Sequence, residues 1–334
     1  MTSSVRTRPE ARTRVGTVDL LWLTWRQHRW AIVTGVVFVV ALGGFILWNE
    51  REITPQAYAR CGGPCDSVQL FGIFSDSRGV ADLADGIAAA FGLVVAVFWA
   101  APLLAREFEQ RTNLLAWSQD VSPWRWLRSQ AGWLTLTVAV LGAVLGMFVV
   151  GQADGLSGLR PSSYPEFAQL RFEAFLPLQI AYVLFGFALG LAASALLRRV
   201  VPAMGATAVV FLGVRFGLSL YRPYYLAPVR SISPMSNFSM PNVGNNGLIL
   251  QFGMSDAAGR PVDTTNLACM STVHTDAAYV ACLHSGGVFG QFVDYQPDYR
   301  LTAFRYVEVA IFLVLAAVLF GVVWLQMRRS TTIG

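Results

Sequence analysis

The sequence contains no lysine, and all 25 of its basic residues are arginine. A P-loop needs a lysine that reaches the nucleotide phosphates, so the chain by itself is not a conventional P-loop ATPase. Charged residues make up only 13% of the 334 residues, against 54% hydrophobic residues. This balance excludes an ordinary soluble domain and is typical of an integral membrane protein.

Sequence motifs of catalytic and metal centres are also missing. The chain has no GxSxG and no HExxH sequence, and it has only three histidines. The middle thirds of the second to fifth apolar runs hold no carboxylate or histidine, where an intramembrane enzyme would need them. We therefore predict no enzymatic activity, no cofactor and no metal in this chain. The net charge of +5 suits anionic lipid headgroups, and we predict no nucleic-acid partner.

Six apolar runs are long enough to cross a bilayer, whose core of about 30 Å needs roughly 20 helical residues. They cover residues 30–48, 86–104, 131–151, 174–197, 200–220 and 304–326. Six arginines precede the first run, four lie within 105–130, two follow the fourth run and two follow the sixth. The positive-inside rule places these segments, and with them both termini, in the cytoplasm.

The predicted fold is an all-α integral protein of the cytoplasmic membrane with six transmembrane helices. Residues 1–29 form a cytoplasmic tail and, from residue 19, an interfacial amphipathic helix. Residues 30–220 hold the first five helices, and residues 304–334 hold the sixth helix and the cytoplasmic C-terminus. Residues 221–303 form a small extracytoplasmic loop domain, in which Gly247–Met254 predicts a strand.

All four cysteines fall in loops predicted to be outside, where disulfides persist. Four cysteines allow three pairings. We favour Cys61 with Cys65, because the intervening Gly-Gly-Pro can close a tight loop, and Cys269 with Cys282. The alternative is a metal site, for which no compact CxxC or HxxxH spacing is present. Its ligands would be Cys61, Cys65, His274 and His284.

One arginine lies inside an apolar run. Arg215 is about one turn from the outer end of the fifth run. Its side chain either reaches the outer headgroups or forms an ion pair that closes an outer gate, with Glu308, Asp82 or Asp85 as the partner.

Phenylalanines of the second and fifth runs have two interpretations as well. They either face lipid and the protein core or line a cargo path. The candidates for the cargo path are Phe91, Phe98, Phe211 and Phe216.

The polar interruption at residues 105–130 separates the second and third runs. Leucines and tryptophans alternate there with polar residues, a pattern that predicts a short helix at the inner membrane surface. Such a helix can take a push from a soluble partner and pass it to the neighbouring spans. The candidate coupling residues are Arg106, Glu107, Glu109, Arg111, Thr112, Trp117, Gln119 and Trp126.

Three stretches carry a resemblance to a known family. They are LLWLTWRQHR before the first run, AREFEQRTNLLAWSQDVSPWRWL after the second, and YQPDYRLTAFRYVE before the sixth. With them the chain resembles, over essentially its whole length, the permeases of type-2 ABC exporters of actinobacteria. The resemblance implies a permease that dimerises and binds a separate ATPase subunit, which holds ATP and Mg. The ATPase would dock on residues 19–29 and 105–130. Arg111 stands where that family often has a glycine.

The combined prediction is the permease subunit of an ATP-driven exporter that works by alternating access. An apolar, aromatic path without buried carboxylates favours amphipathic or hydrophobic cargo, such as drugs, natural products, lipids or peptides, over small ions. The expected partners are the ATPase, a second permease copy and membrane lipids. The alternative is a non-transporting membrane sensor or immunity protein whose outer loop binds a ligand. An ATPase gene beside this one would favour export.

Overall fold

A computed structural model shows a mostly helical protein with one small sheet. The model describes residues 17–61, 86–110, 123–155, 167, 169–235, 247–265, 267, 269 and 276–332.

Six helices in the described part of the chain are long and apolar enough to cross a membrane, which confirms the six predicted runs. They are α1 Thr17–Cys61, α2 Gly86–Glu109, α3 Pro123–Gly155, α5 Leu176–Leu197, α6 Val200–Tyr221 and α8 Leu301–Thr332. A short helix, α4 Gln169–Glu173, precedes α5. The side of the membrane on which each terminus lies stays a prediction.

Helix α5 forms the centre of the bundle. It packs against α2, α3, α6 and α8, and 72% of its most apolar window is buried, against 17% for the corresponding window of α6. A helix that is apolar on all sides is stable when it is surrounded by other helices or lipid. Helix α5 is therefore mainly a core element, whereas α6 presents most of its surface outward.

Helix α1 is longer than the sequence predicts. It runs for 45 residues without a break, a length of about 67 Å. The predicted interfacial helix at residues 19–29 is the first part of α1, and residues 49–61, expected in a loop, are its last part. No glycine or proline occurs between Thr17 and Thr34, so nothing interrupts the helix where the polar segment meets the apolar run.

Between α6 and α8 lies a three-stranded antiparallel sheet in the order β1-β3-β2. Its strands are β1 Val229–Pro234, β2 Leu248–Ser255 and β3 Gly290–Gln296, and helix α7 Asp276–Ser285 precedes β3. We call these four elements and their connections the sheet unit. Strand β2 confirms the strand predicted at Gly247–Met254.

One of the two predicted disulfides lies in the sheet unit. Cys269 and Cys282 are bonded, with their sulfurs 2.03 Å apart, which confirms the predicted pairing. Cys282 belongs to α7, and Cys269 is buried beside Leu283 and Val288. The predicted bond between Cys61 and Cys65 lies outside the described residues.

A cross-strand ion pair links β1 and β3. Arg230 and Asp294 stand opposite each other in the register, and two guanidinium nitrogens donate to the carboxylate, each at 2.7 Å. The hydrogen bond from Arg230 holds the pKa of Asp294 below its usual value. The pair therefore favours the folded sheet while Asp294 is ionised.

This pair predicts a pH dependence of the sheet unit. Because the pKa of Asp294 is lowered in the folded state, its contribution is present above the unfolded pKa of about 3.9. That contribution is lost as the pH falls through the folded pKa. Asp294→Asn should weaken protection of the β1 and β3 amides at pH 7 by about 0.5 kcal/mol, discounted for the exposure of Arg230. The loss should therefore decrease as the pH falls below 3.9 and through the lowered folded pKa.

Hydrogen exchange of the full-length protein, corrected for intrinsic rates, measures this difference. Asp298→Asn is the matched control, because Asp298 is exposed and bonds only to the backbone N–H of Tyr299 in the described part of the chain. A loss at pH 7 that stays unchanged as the pH is lowered well below 3.9 would show that the ion pair is not the cause.

Candidate functional site

The last turn of α2 contacts the turn that joins α5 to α6. The backbone N–H of Ala105 donates to the Ser194 hydroxyl at 2.6 Å. Four residues further on, the Glu109 carboxylate accepts a hydrogen bond at 3.0 Å from the N–H of Val200, the first residue of α6. We call these two hydrogen bonds the turn contact.

The geometry of the α5–α6 turn explains why Glu109 is needed there. Helix α5 ends at Leu197, and Arg198 takes a left-handed conformation with φ of 53°. The Arg198 guanidinium lies over the Phe108 ring at 5.4 Å. The first N–H groups of a helix have no partner within that helix, and Arg199 at the α6 N-cap makes no side-chain capping bond. Glu109 supplies the missing acceptor, and its charge favours the positive end of the α6 dipole.

The predicted coupling residues fall partly within the described structure. Arg106 is exposed, Glu107 is partly buried, and Glu109 belongs to the turn contact. Trp126 lies in α3, but its side chain is outside the description. Four further residues of the predicted coupling set lie outside the described residues. They are Arg111, Thr112, Trp117 and Gln119.

A side-chain hydrogen bond joins the two segments on which an ATPase is predicted to dock. Gln130 Nε2, in α3, donates to Gln27 Oε1, in α1, at 2.6 Å. Gln130 is buried and Gln27 is exposed. The predicted segments 19–29 and 105–130 are thus in contact at this point, which the sequence does not indicate.

Helix α2 contains a π-helical segment, Val95–Ala100. The N–H of Ala101 donates to the Ala96 carbonyl, five residues back. Helix α5 presses against this segment with Gly186 and Gly190. A Cβ on Gly186 would lie 2.5 Å from the Gly92 carbonyl oxygen, and one on Gly190 would overlap the Ala96 carbonyl oxygen. Small residues at this GxxxG spacing let two backbones approach closely.

At the opposite end of α6, five side chains form a buried polar group that we call the charge cluster. Its members are Glu173, Tyr182, Arg215, Arg222 and Glu308. Arg222 donates to Glu308 through two nitrogens at 2.9 and 3.0 Å, and Tyr182 donates to Glu308 at 2.5 Å. Arg215 donates to Glu173 at 2.8 Å. Two arginines and two glutamates make the cluster electrically neutral.

Burial makes each of these partners necessary. Glu308 is 1% exposed, Glu173 5% and Arg222 8%. A charge held so far from water is costly unless it is paired and hydrogen-bonded. The arginines also lie over aromatic rings, Arg215 over Tyr182 at 3.7 Å and Arg222 over Phe172 at 3.8 Å, a contact that favours the cation.

The charge cluster contains two of the predicted gate residues with different partners. Glu308 was one of three partners considered for Arg215, beside the alternative that Arg215 reaches the outer headgroups, but Arg215 bonds to Glu173 and Glu308 bonds to Arg222. Asp82 and Asp85 lie outside the described residues. Glu173 and Arg222 were not predicted from the sequence. The sequence does contain an indication of Arg222, because it lies seven positions after Arg215 and residues at this spacing share one face of a helix.

The four candidate phenylalanines divide into two pairs. Phe91 is buried and stacked on Phe38 of α1, with ring centroids 5.8 Å apart. Phe211 is buried and stacked on Phe185 of α5 at 5.7 Å. Phe98 and Phe216 are 63% and 67% exposed on the outside of the bundle. The first pair therefore packs the core, and the second faces whatever surrounds the bundle.

The described residues contain no group of three or more histidine, cysteine, aspartate or glutamate side chains placed to hold a metal ion. His284, a member of the alternative metal set, lies against the Phe289 ring at 5.0 Å. The side chains of the other three members, Cys61, Cys65 and His274, lie outside the part of the chain that the structure describes. ATP and Mg stay predictions for the partner subunit.

Comparison with known proteins supplies the family. A family model described as ABC-2 membrane transporter related matches residues 30–222, which is more than half of the chain and extends from α1 through α6. The chain belongs to this family. No curated protein and no solved structure matches it. As an ABC-2 permease the chain is a multi-pass membrane component of a transporter, and the family implies partnership with an ATPase subunit. The turn contact and the charge cluster thus lie within or beside the helices of a permease.

Proposed function

We propose that this ABC-2 permease exports an amphipathic or hydrophobic cargo across the cytoplasmic membrane by alternating access. A separately encoded ATPase supplies the energy, and a second permease copy completes the path. The family match and the six apolar helices support the permease role. The apolar helices support the choice of cargo, because an ion path would need polar lining groups. The expectation from the sequence that no carboxylate is buried is wrong, since Glu173 and Glu308 are buried, but both are paired with arginines at one end of α6.

The observation that best supports the coupling mechanism is the hydrogen bond between Glu109 and Val200. Helix α2 leads directly into the predicted coupling segment, and its last turn caps the first turn of α6. A displacement of that segment therefore acts on α6 through a direct contact as well as through α2. The bond between Gln27 and Gln130 adds a link from α1 to the start of α3.

At its other end, α6 is held by the charge cluster. Arg215 and Arg222 join it to Glu173, beside α5, and to Glu308 in α8. We assign this cluster to the outer gate, which would be closed while the four charges are paired. Opening requires that α6 and α8 move together or that water replaces the partner of each charged group, since unpaired charges in the membrane are costly.

Arg106→Ala tests the coupling role. Arg106 is exposed and has no ion pair in the described part of the chain, so the substitution should leave the melting temperature unchanged. It should lower permease-dependent stimulation of the partner's ATP hydrolysis by about tenfold, which corresponds to loss of about 1.4 kcal/mol of docking free energy. The measurement uses proteoliposomes that contain the permease and the ATPase with which it co-purifies.

Two further variants complete the test. Arg51→Ala removes an exposed arginine near the C-terminal end of α1, far along the helix from the predicted docking segment 19–29. It should change neither the stimulation of ATP hydrolysis nor the melting temperature. Glu109→Ala should lower both the stimulation and the melting temperature, because it removes a helix cap of about 1 kcal/mol. Equal stimulation by the wild type and Arg106→Ala would remove Arg106 from the docking surface. A wild-type protein that stimulates no ATPase would favour the sensor hypothesis.

A further inference from the structure

Strand β2 forms one edge of the sheet unit, and the directions of its carbonyl groups are defined by two hydrogen bonds. The N–H of Phe289, next to β3, donates to the Ser255 carbonyl at 2.9 Å. The N–H of Val262 donates to the Met254 carbonyl at 2.9 Å. Successive carbonyls along a strand point to opposite sides. The Met254 carbonyl therefore points away from β3, and so does the Phe252 carbonyl, two residues earlier.

The chain that covers this edge leaves it before it reaches Phe252. Pro261 forms a bridge with Ser255, and Val262 bonds to Met254. Within residues 247–265, which the structure describes, no backbone hydrogen bond joins the following segment to Phe252. Among the described residues, the peptide group of Phe252 therefore stands at an open strand edge, and such an edge is a template for pairing with another extended chain.

An open cavity of about 480 Å³ lies beside this edge. Strands β2 and β3 line one side of it, and the segment 262–264 lines the other. Phe252 is 67% exposed at its rim. The lining is mainly apolar, with three polar side chains. The lining residues are Phe252, Gly253, Met254, Val262, Asp263, Thr264, Gln291, Phe292 and Val293.

The rim of the cavity carries one uncompensated negative charge. The Asp263 carboxylate accepts hydrogen bonds from the N–H and the hydroxyl of Thr265. Among the residues that the structure describes, no arginine forms an ion pair with it. Its neighbour Arg260 is paired with Asp256 instead. The charge of Asp263 is therefore available to a cationic group of a ligand.

We propose that the sheet unit binds an extended peptide segment as an additional strand along β2, with an apolar side chain in the cavity and a basic side chain beside Asp263. Main-chain hydrogen bonds to an edge strand give affinity in this mode, and a pocket for alternate side chains gives specificity. The open peptide group of Phe252 favours a peptide over a small apolar molecule, which would have no use for a strand edge. The proposal is independent of the transport function, since it concerns the sheet unit alone.

The test uses the full-length protein in nanodiscs of phosphatidylcholine, which carries no net charge. The probe is a fluorescein-labelled nonapeptide with blocked ends, made of alternating valine and threonine with one central tryptophan and one arginine. Fluorescence anisotropy measures its binding. A second probe carries N-methyl groups on the amides of one edge, which removes the strand hydrogen bonds and leaves the side chains. We expect N-methylation to weaken binding by about tenfold or more.

Two substitutions at one position test the strand edge in the protein. Phe252→Pro removes an N–H that faces outward and is compatible with an edge strand, whereas Phe252→Thr removes the same aromatic ring and keeps the N–H. We expect binding of the probe to Phe252→Pro to be about tenfold weaker than to Phe252→Thr. The Cys269–Cys282 bond and the melting temperature of each variant report whether the sheet unit is folded. The N-methylated probe tests the same hydrogen bonds on the unaltered protein.

Asp263→Asn tests the charge. Asparagine keeps the acceptor for the Thr265 N–H and loses the negative charge. The substitution should weaken binding of the arginine probe about fivefold and leave a citrulline version unchanged.

Equal binding of the two Phe252 variants, or of the methylated and unmethylated probes, would overturn the added strand. A Phe252→Pro variant that loses a permease dimer, with no peptide bound to the wild type, would show that a second copy occupies the edge and would likewise overturn the proposal.

Discussion

Arg222→Met should lower the free energy of unfolding by about 3–5 kcal/mol, because it leaves Glu308 charged, buried and without its principal partner. Arg222 supplies two hydrogen bonds to that carboxylate, and Glu308 is 1% exposed. The remaining donors, Tyr182 and Tyr225, are neutral. Thermal unfolding of the purified permease in nanodiscs measures the loss.

Two controls define the cause of this loss. Arg260→Met removes the exposed ion pair with Asp256 in the sheet unit and should have little effect, since exposed pairs contribute little. The double variant Arg222→Met with Glu308→Met should recover much of the stability, because replacing a whole buried pair by apolar side chains is often neutral. If Arg222→Met were no more harmful than Arg260→Met, the cluster would not hold α6 against α8.

Gly190→Ala should destabilise the bundle by about 1–3 kcal/mol through overpacking. The new Cβ would overlap the Ala96 carbonyl oxygen and lie 2.5 Å from the Ala100 Cβ and 2.9 Å from the Ala101 nitrogen. Two of these atoms belong to the backbone, so no side-chain rotation relieves the overlap. Helices α2 and α5 must separate at the π-helical segment, and we expect export to fall with stability.

Gly205→Ala is the matched control for this substitution. Gly205 lies in α6, and a Cβ there meets nothing within 4 Å. Alanine is favoured over glycine in a helix by about 0.5–1 kcal/mol, so this variant should be neutral or slightly more stable. The two variants should therefore shift the melting temperature in opposite directions. Equal shifts would mean that the close approach of α5 to α2 does not contribute to stability.

Hydropathy predicted the six helices because an apolar run is local to each segment. Interactions between distant segments were not predictable in this way. Glu109 and Val200 are 91 residues apart, and Glu308 is 86 residues from Arg222. The sequence draws attention to Glu109 and Glu308 as charged residues, but it does not indicate their partners, which only the packing of α5 between α2, α6 and α8 brings into contact.

The sheet unit shows the same limit on a smaller scale. Strand β2 has a mostly apolar sequence, LILQFGMS, which predicts a strand. Strand β1, VRSISP, is short, polar at three of its six positions without regular alternation, and contains proline. Its pairing with β3 depends on residues about 60 positions away, so the local pattern predicted one strand of three. The Cys269–Cys282 bond was the favoured pairing of two cysteines in one loop, although the sequence alone does not choose among the three possible pairings.

The π-helical segment also determines the rotational phase of α2. A π-turn holds one residue more than an α-turn, and each residue of an α-helix turns the chain by about 100° and advances it by 1.5 Å. If Val95–Ala100 became α-helical, everything after it would rotate by about that angle relative to Gly92. The Glu109 side chain would then no longer face Val200, and the first turn of α6 would lose its hydrogen-bond acceptor. The additional residue in the π-turn of α2 therefore maintains the orientation of the last turn of α2 toward the start of α6.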